Sequence, residues 1–273
     1  ANMPFGAAEI DVAGGLKGAP IDVVKCVTSD ILVPADSEFI IEGEILPGET
    51  GDEGPFGEFA GYMGPVAPKP LVRITAITHR KNAIYYGYTS QMPPSESTVL
   101  QSMTNAPLIL KTLRDDFGEG SVKDVFIDLT FGGLLAHCVV AMNPRTQGHA
   151  KKIGRLIADM SPLKRVTVVD EYVDVRDPLH IEWAMNSHYN PARDTVIIDD
   201  VYFPMGMDPS VRIDNKMQDQ GSKIVIDATQ TIDAGEISIP PKEIMDRALA
   251  SWSEAGLPDF EIPKRAKNRI DMA

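Results

Sequence analysis

The chain has 273 residues, 43% of them hydrophobic and 24% charged, and its 26 basic against 39 acidic side chains leave a net charge of −13. That length holds one large domain or two ordinary ones, and the composition excludes a disordered or fibrous protein. The acidic balance argues against binding to nucleic acid or anionic membranes, and no apolar run approaches the roughly 20 residues of a membrane span.

The N-terminal stretch ANMPFGAAEID has neither the basic start nor the apolar core of a signal peptide. Its first residue, Ala1, is compatible with methionine removal or with the C-terminal piece of something longer. Two cysteines, Cys26 and Cys138, exclude a disulfide scaffold, and the expected compartment is a reducing cytoplasm.

Residues up to about 90 read as strands and loops. Val23 to Thr28, Glu38 to Ile45, Leu71 to Ile77 and Ala83 to Tyr88 are rich in β-branched and aromatic residues and are bounded by Gly, Pro and Asp. His79-Arg-Lys-Asn82 is expected to join the last two as a hairpin. A helix is expected next, capped by Ser95, with Leu100, Met103, Leu108 and Leu113 on its apolar face and Pro107 kinking or dividing it. The pattern then alternates: strands Val122 to Leu129 and Leu134 to Met142, helix His149 to Met160, strand Arg165 to Val173, helix Pro178 to Tyr189. Strands Thr195 to Ile198 and Lys223 to Ile226 precede a last helix, Pro241 to Ala255, and this alternation predicts an α/β layer architecture.

Between the second and third strands lies Glu53-Gly-Pro-Phe-Gly-Glu58. Five residues apart, the two glutamates would miss each other on a helix and face opposite ways on a strand. Gly54, Pro55 and Gly57 permit a conformation that is neither, and two acids brought close can be given different proton affinities. Two solvated surface acids would fit the spacing equally well. Phe56, Phe59, Tyr62 and Met63, however, suit the wall of a ligand pocket better than an open loop.

Other residues carry weaker signals. Glu9, in apolar company ahead of Ala13-Gly-Gly-Leu16, reads as a metal ligand or as a turn acid. Lys164 could meet a phosphate or be a solvated strand end. Gly132-Gly133 lacks a phosphate-loop pattern and reads as a hairpin turn. No serine sits in a nucleophile elbow, and the histidines at 79, 137, 149, 180 and 188 read as structural.

The segment EGPFGEFAGYMG, with Glu9 and AGGL upstream, resembles the UbiD family of prenylated-FMN-dependent decarboxylases. The agreement continues through Pro93-Pro94-Ser95-Glu96, Val168 to Asp174, Ile181-Glu-Trp183-Ala184, Pro191-Ala-Arg193-Asp194 and Ser222 to Thr229, in family order. The resemblance implies part of a β-rich split-barrel flavin domain over 1–92 with the catalytic loop, a helical connector over 93–118, and an α/β oligomerisation domain over 119–273. It implies Glu58 as proton donor and Glu53 as the acid that binds an arginine and tunes its partner. It also implies Glu9 as a ligand to manganese or magnesium, Met3 near a potassium ion, and Lys164 near the cofactor phosphate. Phe59, Met103 and Phe203 are candidate substrate-pocket residues.

The family's N-terminal half, with its arginine and remaining metal ligands, is absent from this sequence, and His188 stands where an arginine is expected. The expected function is therefore reversible decarboxylation of a small aromatic or α,β-unsaturated acid, carried out once that half is supplied by the same enzyme or by a separate subunit. The alternative is a noncatalytic assembly subunit of such a complex. A homo-oligomer is expected on either reading.

Overall fold

The computed structural model describes residues 6, 8–131, 137–202, 210, 212–213, 216–217, 220–230, 235, 237–252, 254–258 and 261. The chain divides into two units, residues 1–58 with 63–89 and residues 59–62 with 90–273.

In the first unit, helix α1 (Glu9–Lys17) ends at Gly18, whose φ of 74° only glycine adopts readily. Strands β1 (Val23–Lys25) and β2 (Leu32–Pro34) form a short antiparallel pair, and β3 (Phe39–Glu53) and β4 (Ala67–His79) a long one. A buried carboxylate ties the pairs together: Glu42 on β3 accepts from the Val27 amide at 2.7 Å and from the Thr28 amide and hydroxyl at 2.6 Å each. Next to it the register shifts at Gly43, where a Cβ would stand 2.7 Å from the Arg73 carbonyl oxygen.

Among its described residues this unit has no apolar core of its own. Every buried hydrophobic side chain among the described residues belongs to the second unit, while Ile41, Ile45 and Ile77 on the β3–β4 ribbon are 60% exposed or more. A two-stranded ribbon in that state is marginal in water.

The expected hairpin at 79–82 is corrected by the structure. The partner of β4 is β3, and Ala83 to Tyr88 forms no strand, because no described strand takes its backbone hydrogen bonds. The chain instead turns at Asn82, at φ 59°, and Glu38 receives the Ile84 amide at 2.9 Å.

The second unit is a three-layer α/β structure. Its elements are α2 (Glu96–Asp115), β5 (Val122–Ile127), β6 (His137–Met142), α3 (His149–Met160), β7 (Arg165–Asp170), α4 (Pro178–Ser187), α5 (Pro191–Asp194) and β8 (Thr195–Tyr202). There follow β9 (Arg212–Ile213), β10 (Lys216–Met217), β11 (Gln220–Ala228) and α6 (Lys242–Ala250). The main sheet runs β5-β6-β7-β11-β8, with β6, β7 and β11 parallel and an antiparallel strand at each edge.

Alternation along β6 divides its side chains between the faces. Cys138, Val140 and Met142 pack with Leu113 of α2 and Ile153 and Ile157 of α3, whereas Val139 and Ala141 pack with Ala184 of α4. At about 2 kcal/mol for each large aliphatic side chain taken out of water, these two clusters dominate the stability of the unit. Helix α2 is continuous through Pro107, so the expected division does not occur. Burial of Ala106, Ile109 and Leu113 offsets the hydrogen bond that proline cannot make. The carboxyl end of α3 is closed by Lys223 of β11, a buried lysine whose Nζ donates to the Ala158 and Ser161 carbonyls. No helix among the described residues is long and apolar enough to cross a membrane.

Candidate active site

Glu53 is the last residue of β3 and lies opposite Ala67 in the ladder, so the loop leaves and rejoins the ribbon at one point. Gly54 turns the chain at φ 96°, and a Cβ there would also meet the Pro65 carbonyl oxygen at 3.2 Å. The peptide bond from Gly54 to Pro55 is cis. Farther out the loop closes on itself: Gly57 and Met63 form an antiparallel bridge, and the Gly64 amide donates to the Phe56 carbonyl at 2.9 Å.

Glu58 sits inside this closure, half-buried, against a glycine. A Cβ at Gly64 would stand 3.4 Å from both Cγ and Oε1 of Glu58. Glu53 is exposed. The structure therefore carries both acids in the part of this loop that belongs to the first unit, with different access to water.

Glu9 opens the first turn of α1 and is exposed. Among the described residues no group of three or more His, Cys, Asp or Glu could hold a metal ion, so Glu9 contributes at most one ligand. Lys164 lies between α3 and β7, where its carbonyl accepts from the Ile224 amide at 2.9 Å and its Nζ donates to Ser210 Oγ at 2.6 Å. Met103 is on α2 and 67% exposed. Phe59 is half-buried and belongs, with the rest of 59–62, to the second unit. Met3 and Phe203 lie outside the described residues, as do Gly132 and Gly133. The structure thus joins Glu53 and Glu58 in one loop, and assigns Lys164, Met103 and Phe59 to the second unit.

Two family profiles match this chain in succession. The 3-octaprenyl-4-hydroxybenzoate carboxy-lyase Rift-related domain covers residues 1–93, and the C-terminal domain of the same carboxy-lyase covers residues 98–228. The chain belongs to the UbiD family. The first UbiD profile takes in the loop with Glu53 and Glu58, and the second runs from within α2 to the end of β11.

An uncharacterized protein of Synechocystis is 32% identical over 270 residues, 95% of this chain and 52% of that protein. The UbiD-class enzyme HmfF of Pelotomaculum thermopropionicum, solved with FMN, is 33% identical with a TM-score of 0.76, covering 92% of this chain and 55% of its own. An evolved dimeric form of HmfF, solved with prenylated FMN, has a TM-score of 0.71 at 33% identity over 89% and 51% of the two chains. The vanillic acid decarboxylase of Sedimentibacter hydroxybenzoicus in its closed form is 30% identical with a TM-score of 0.75, over 90% and 52%. The chain spans about half the length of the relatives it matches.

Proposed function

We propose that this chain supplies the two-glutamate loop of a UbiD-type decarboxylase acting reversibly on a small aromatic or α,β-unsaturated carboxylic acid. The observation that carries the reading is the closed Glu53–Glu58 loop beside a ribbon whose apolar side chains are open to water. Such a ribbon is one wall of a site rather than a whole one, which fits a chain half as long as its relatives.

The other wall would come from the family's N-terminal half, in the same enzyme or in a separate subunit. The exposed apolar face suits the ring system of prenylated FMN, which when bound would take up the charge left on carbon as carbon dioxide departs. Glu58 would then return a proton to that carbon from its carboxyl group, and the reverse direction would have it remove one. Glu53 would hold an arginine of the missing half and so fix the field in which Glu58 works. Partial burial keeps bulk water from supplying the proton in place of Glu58.

Glu9, Met3 and Lys164 are the residues this chain would offer to a divalent ion, a potassium ion and the cofactor phosphate. One exposed carboxylate does not make a metal site, so no step is derived through the ion. The free thiols of Cys26 and Cys138 fit a reducing cytoplasm. Phe59, Met103 and Phe203 remain the proposed contributors to the substrate pocket, and a homo-oligomer built through the second unit is part of the same reading.

The test is to combine the chain with its N-terminal half, prenylated FMN and manganese, and to compare Glu58→Gln with the unaltered assembly. Removing a general acid should slow decarboxylation by about 10²-fold or more. Turnover at the parent rate would show that Glu58 is not the proton donor.

A second reading is favoured by one observation: among the described residues the two apolar clusters lie in the second unit and contain neither Glu53 nor Glu58. On that reading the chain is a noncatalytic assembly subunit, and its complex turns over equally well with Glu53 and Glu58 both replaced by Gln.

A further inference from the structure

The loop that carries Glu53 and Glu58 changes units within a few residues. Its flanks, residues 53–58 and 63–67, belong to the first unit, whereas its tip, Phe59 to Tyr62, belongs to the second together with residues 90–273. The chain crosses at the bonds 58–59 and 62–63, and the Gly57–Met63 bridge closes the loop next to both crossings. Glu58 is thus the one residue between a bridged position and the tip. Consecutive residues are rigidly spaced along a chain, so a shift of the tip reaches Glu58 first.

The tip has a seat in the second unit. Ala60 is only 3% exposed, and Gly61, at φ 85°, lies so close to the segment after residue 90 that a Cβ would fall 2.8 Å from Met92 Sδ and 3.3 Å from Pro93 Cδ. A side chain at residue 61 would have to lift the tip or push Met92 aside.

The seat is fastened in its turn. The Ser90 and Ser97 hydroxyls share a hydrogen bond of 2.5 Å, and the Ser95 amide donates to Thr98 Oγ1 at 2.9 Å, which ties residues 90–95 to the first turn of α2. Helix α2 is held to the sheet by Ser102, whose hydroxyl donates to the Ile127 carbonyl at 2.6 Å, and by Ala106, Ile109 and Leu113 in the apolar cluster. A run of contacts therefore leads from that cluster to the tip, while the described residues of the first unit supply no apolar core to steady the acid. A reactive carboxyl keeps its place only where the contacts behind it are fixed.

We propose that Gly61, seated on Met92 and Pro93, is a positioning residue through which the second unit sets the place of the Glu58 carboxyl. The proposal rests on Glu58 being the proton donor and adds that an acid of the first unit is aimed by the second. With the tip seated, Glu58 is held through Gly57 on one side and Phe59 on the other. With the tip lifted it is held on one side only. Proton transfer falls steeply when the donor is displaced, so loss of the seat lowers kcat and leaves KM nearly unchanged.

The experiment uses the chain combined with its N-terminal half, prenylated FMN and manganese. Gly61→Ala should lower kcat about tenfold and leave KM within about twofold of the parent. Adding Met92→Ala should return kcat to within about threefold, because it clears the place the methyl group needs. Met92 is 76% exposed, so its removal uncovers no core. In a Glu58→Gln background Gly61→Ala should cost less than about twofold, since its effect runs through a carboxyl already removed, whereas a merely structural defect slows both backgrounds alike. Parent turnover in Gly61→Ala, an unchanged loss when Met92→Ala is added, or the full loss in the Glu58→Gln background would each overturn the proposal. If Gly61→Ala fails to fold, Ser97→Ala decides: it loosens the seat without touching the loop and should lower kcat at least about threefold, with Ser97→Thr restoring it. Parent turnover in Ser97→Ala then overturns the proposal. Turnover of Glu58→Gln at the parent rate is a separate failure, since it removes the proton-donor reading on which the proposal rests.

Discussion

Gly64 stands against Glu58: a methyl group on Gly64 would lie in ordinary contact, at 3.4 Å, with both Cγ and Oε1, and a branched side chain would have to reach past that distance. The loop's closure leaves Glu58 little freedom to move aside, because the Gly64 amide is itself fastened to Phe56. Gly64→Val should therefore displace Glu58 and lower the turnover of the reconstituted assembly by about 10-fold to 100-fold, the scale of a misplacement near 1 Å. Turnover within twofold of the parent would show that Glu58 does not depend on this contact.

The openness of the first unit predicts a gradient of backbone protection. In the chain by itself, amides of β3 and β4 should exchange with solvent far faster than those of β6 and β7, whose side chains form the two cores. Adding the N-terminal half should slow exchange in β3 and β4 while leaving β6 and β7 unchanged. Hydrogen exchange read by mass spectrometry checks both statements, and equal protection of the two ribbons in the isolated chain contradicts the first.

Close packing of α3 on the sheet leads to a third expectation. A Cβ at Gly154 would fall 2.4 Å from Val225 Cγ1 and 3.2 Å from Val168 Cγ2. In an exposed helix Gly→Ala gains about 1 kcal/mol, but here overpacking should outweigh it and cost about 1–3 kcal/mol. Gly154→Ala should lower the urea midpoint of the second unit, and adding Val225→Ala should restore part of the loss. No restoration would mean that the backbone, not Val225, is what the methyl group meets.

Glu119 makes stability depend on acidity. Burial alone would raise its carboxyl, but contacts with Ser121, whose amide donates to Oε1 at 2.9 Å, and with the His149 ring outweigh burial and bring it down to about 2. Because the folded value lies below the unfolded one, the stabilisation is complete above about pH 5 and is lost as pH falls toward 2. Glu119→Gln should therefore be less stable than the parent by about 2 kcal/mol at neutral pH after screening is allowed for, with the gap closing at low pH. A gap that does not change with pH would assign the loss to packing.

Much of the second unit was readable because its signals are local. The spacing of Ala150, Ile153 and Ile157 announces α3 over the same residues the structure gives it, and the run Cys138 to Met142 reads as a strand buried on both faces. Ala83 to Tyr88 has equally strong strand composition and no strand, since a ladder needs a partner and composition says nothing of one. Helix α1 is hidden in the sequence because Gly14 and Gly15 look like a turn, yet a Cβ on Gly14 would press on the Ala19 carbonyl oxygen at 3.2 Å. The loop acids are visible as residues, whereas the closure around Glu58 depends on a backbone bridge between Gly57 and Met63 and on the Gly64 amide, which leave no mark on a sequence.

The ladder position shared by Glu53 and Ala67 makes the segment between them an exchangeable cassette. Its two ends are held at strand spacing by the ribbon, so loops of the same length carrying other acids would enter and leave the protein at the same place. Such a loop has to keep a small side chain at position 60, where Ala60 is buried, while positions 53 and 58 are the ones open to comparison.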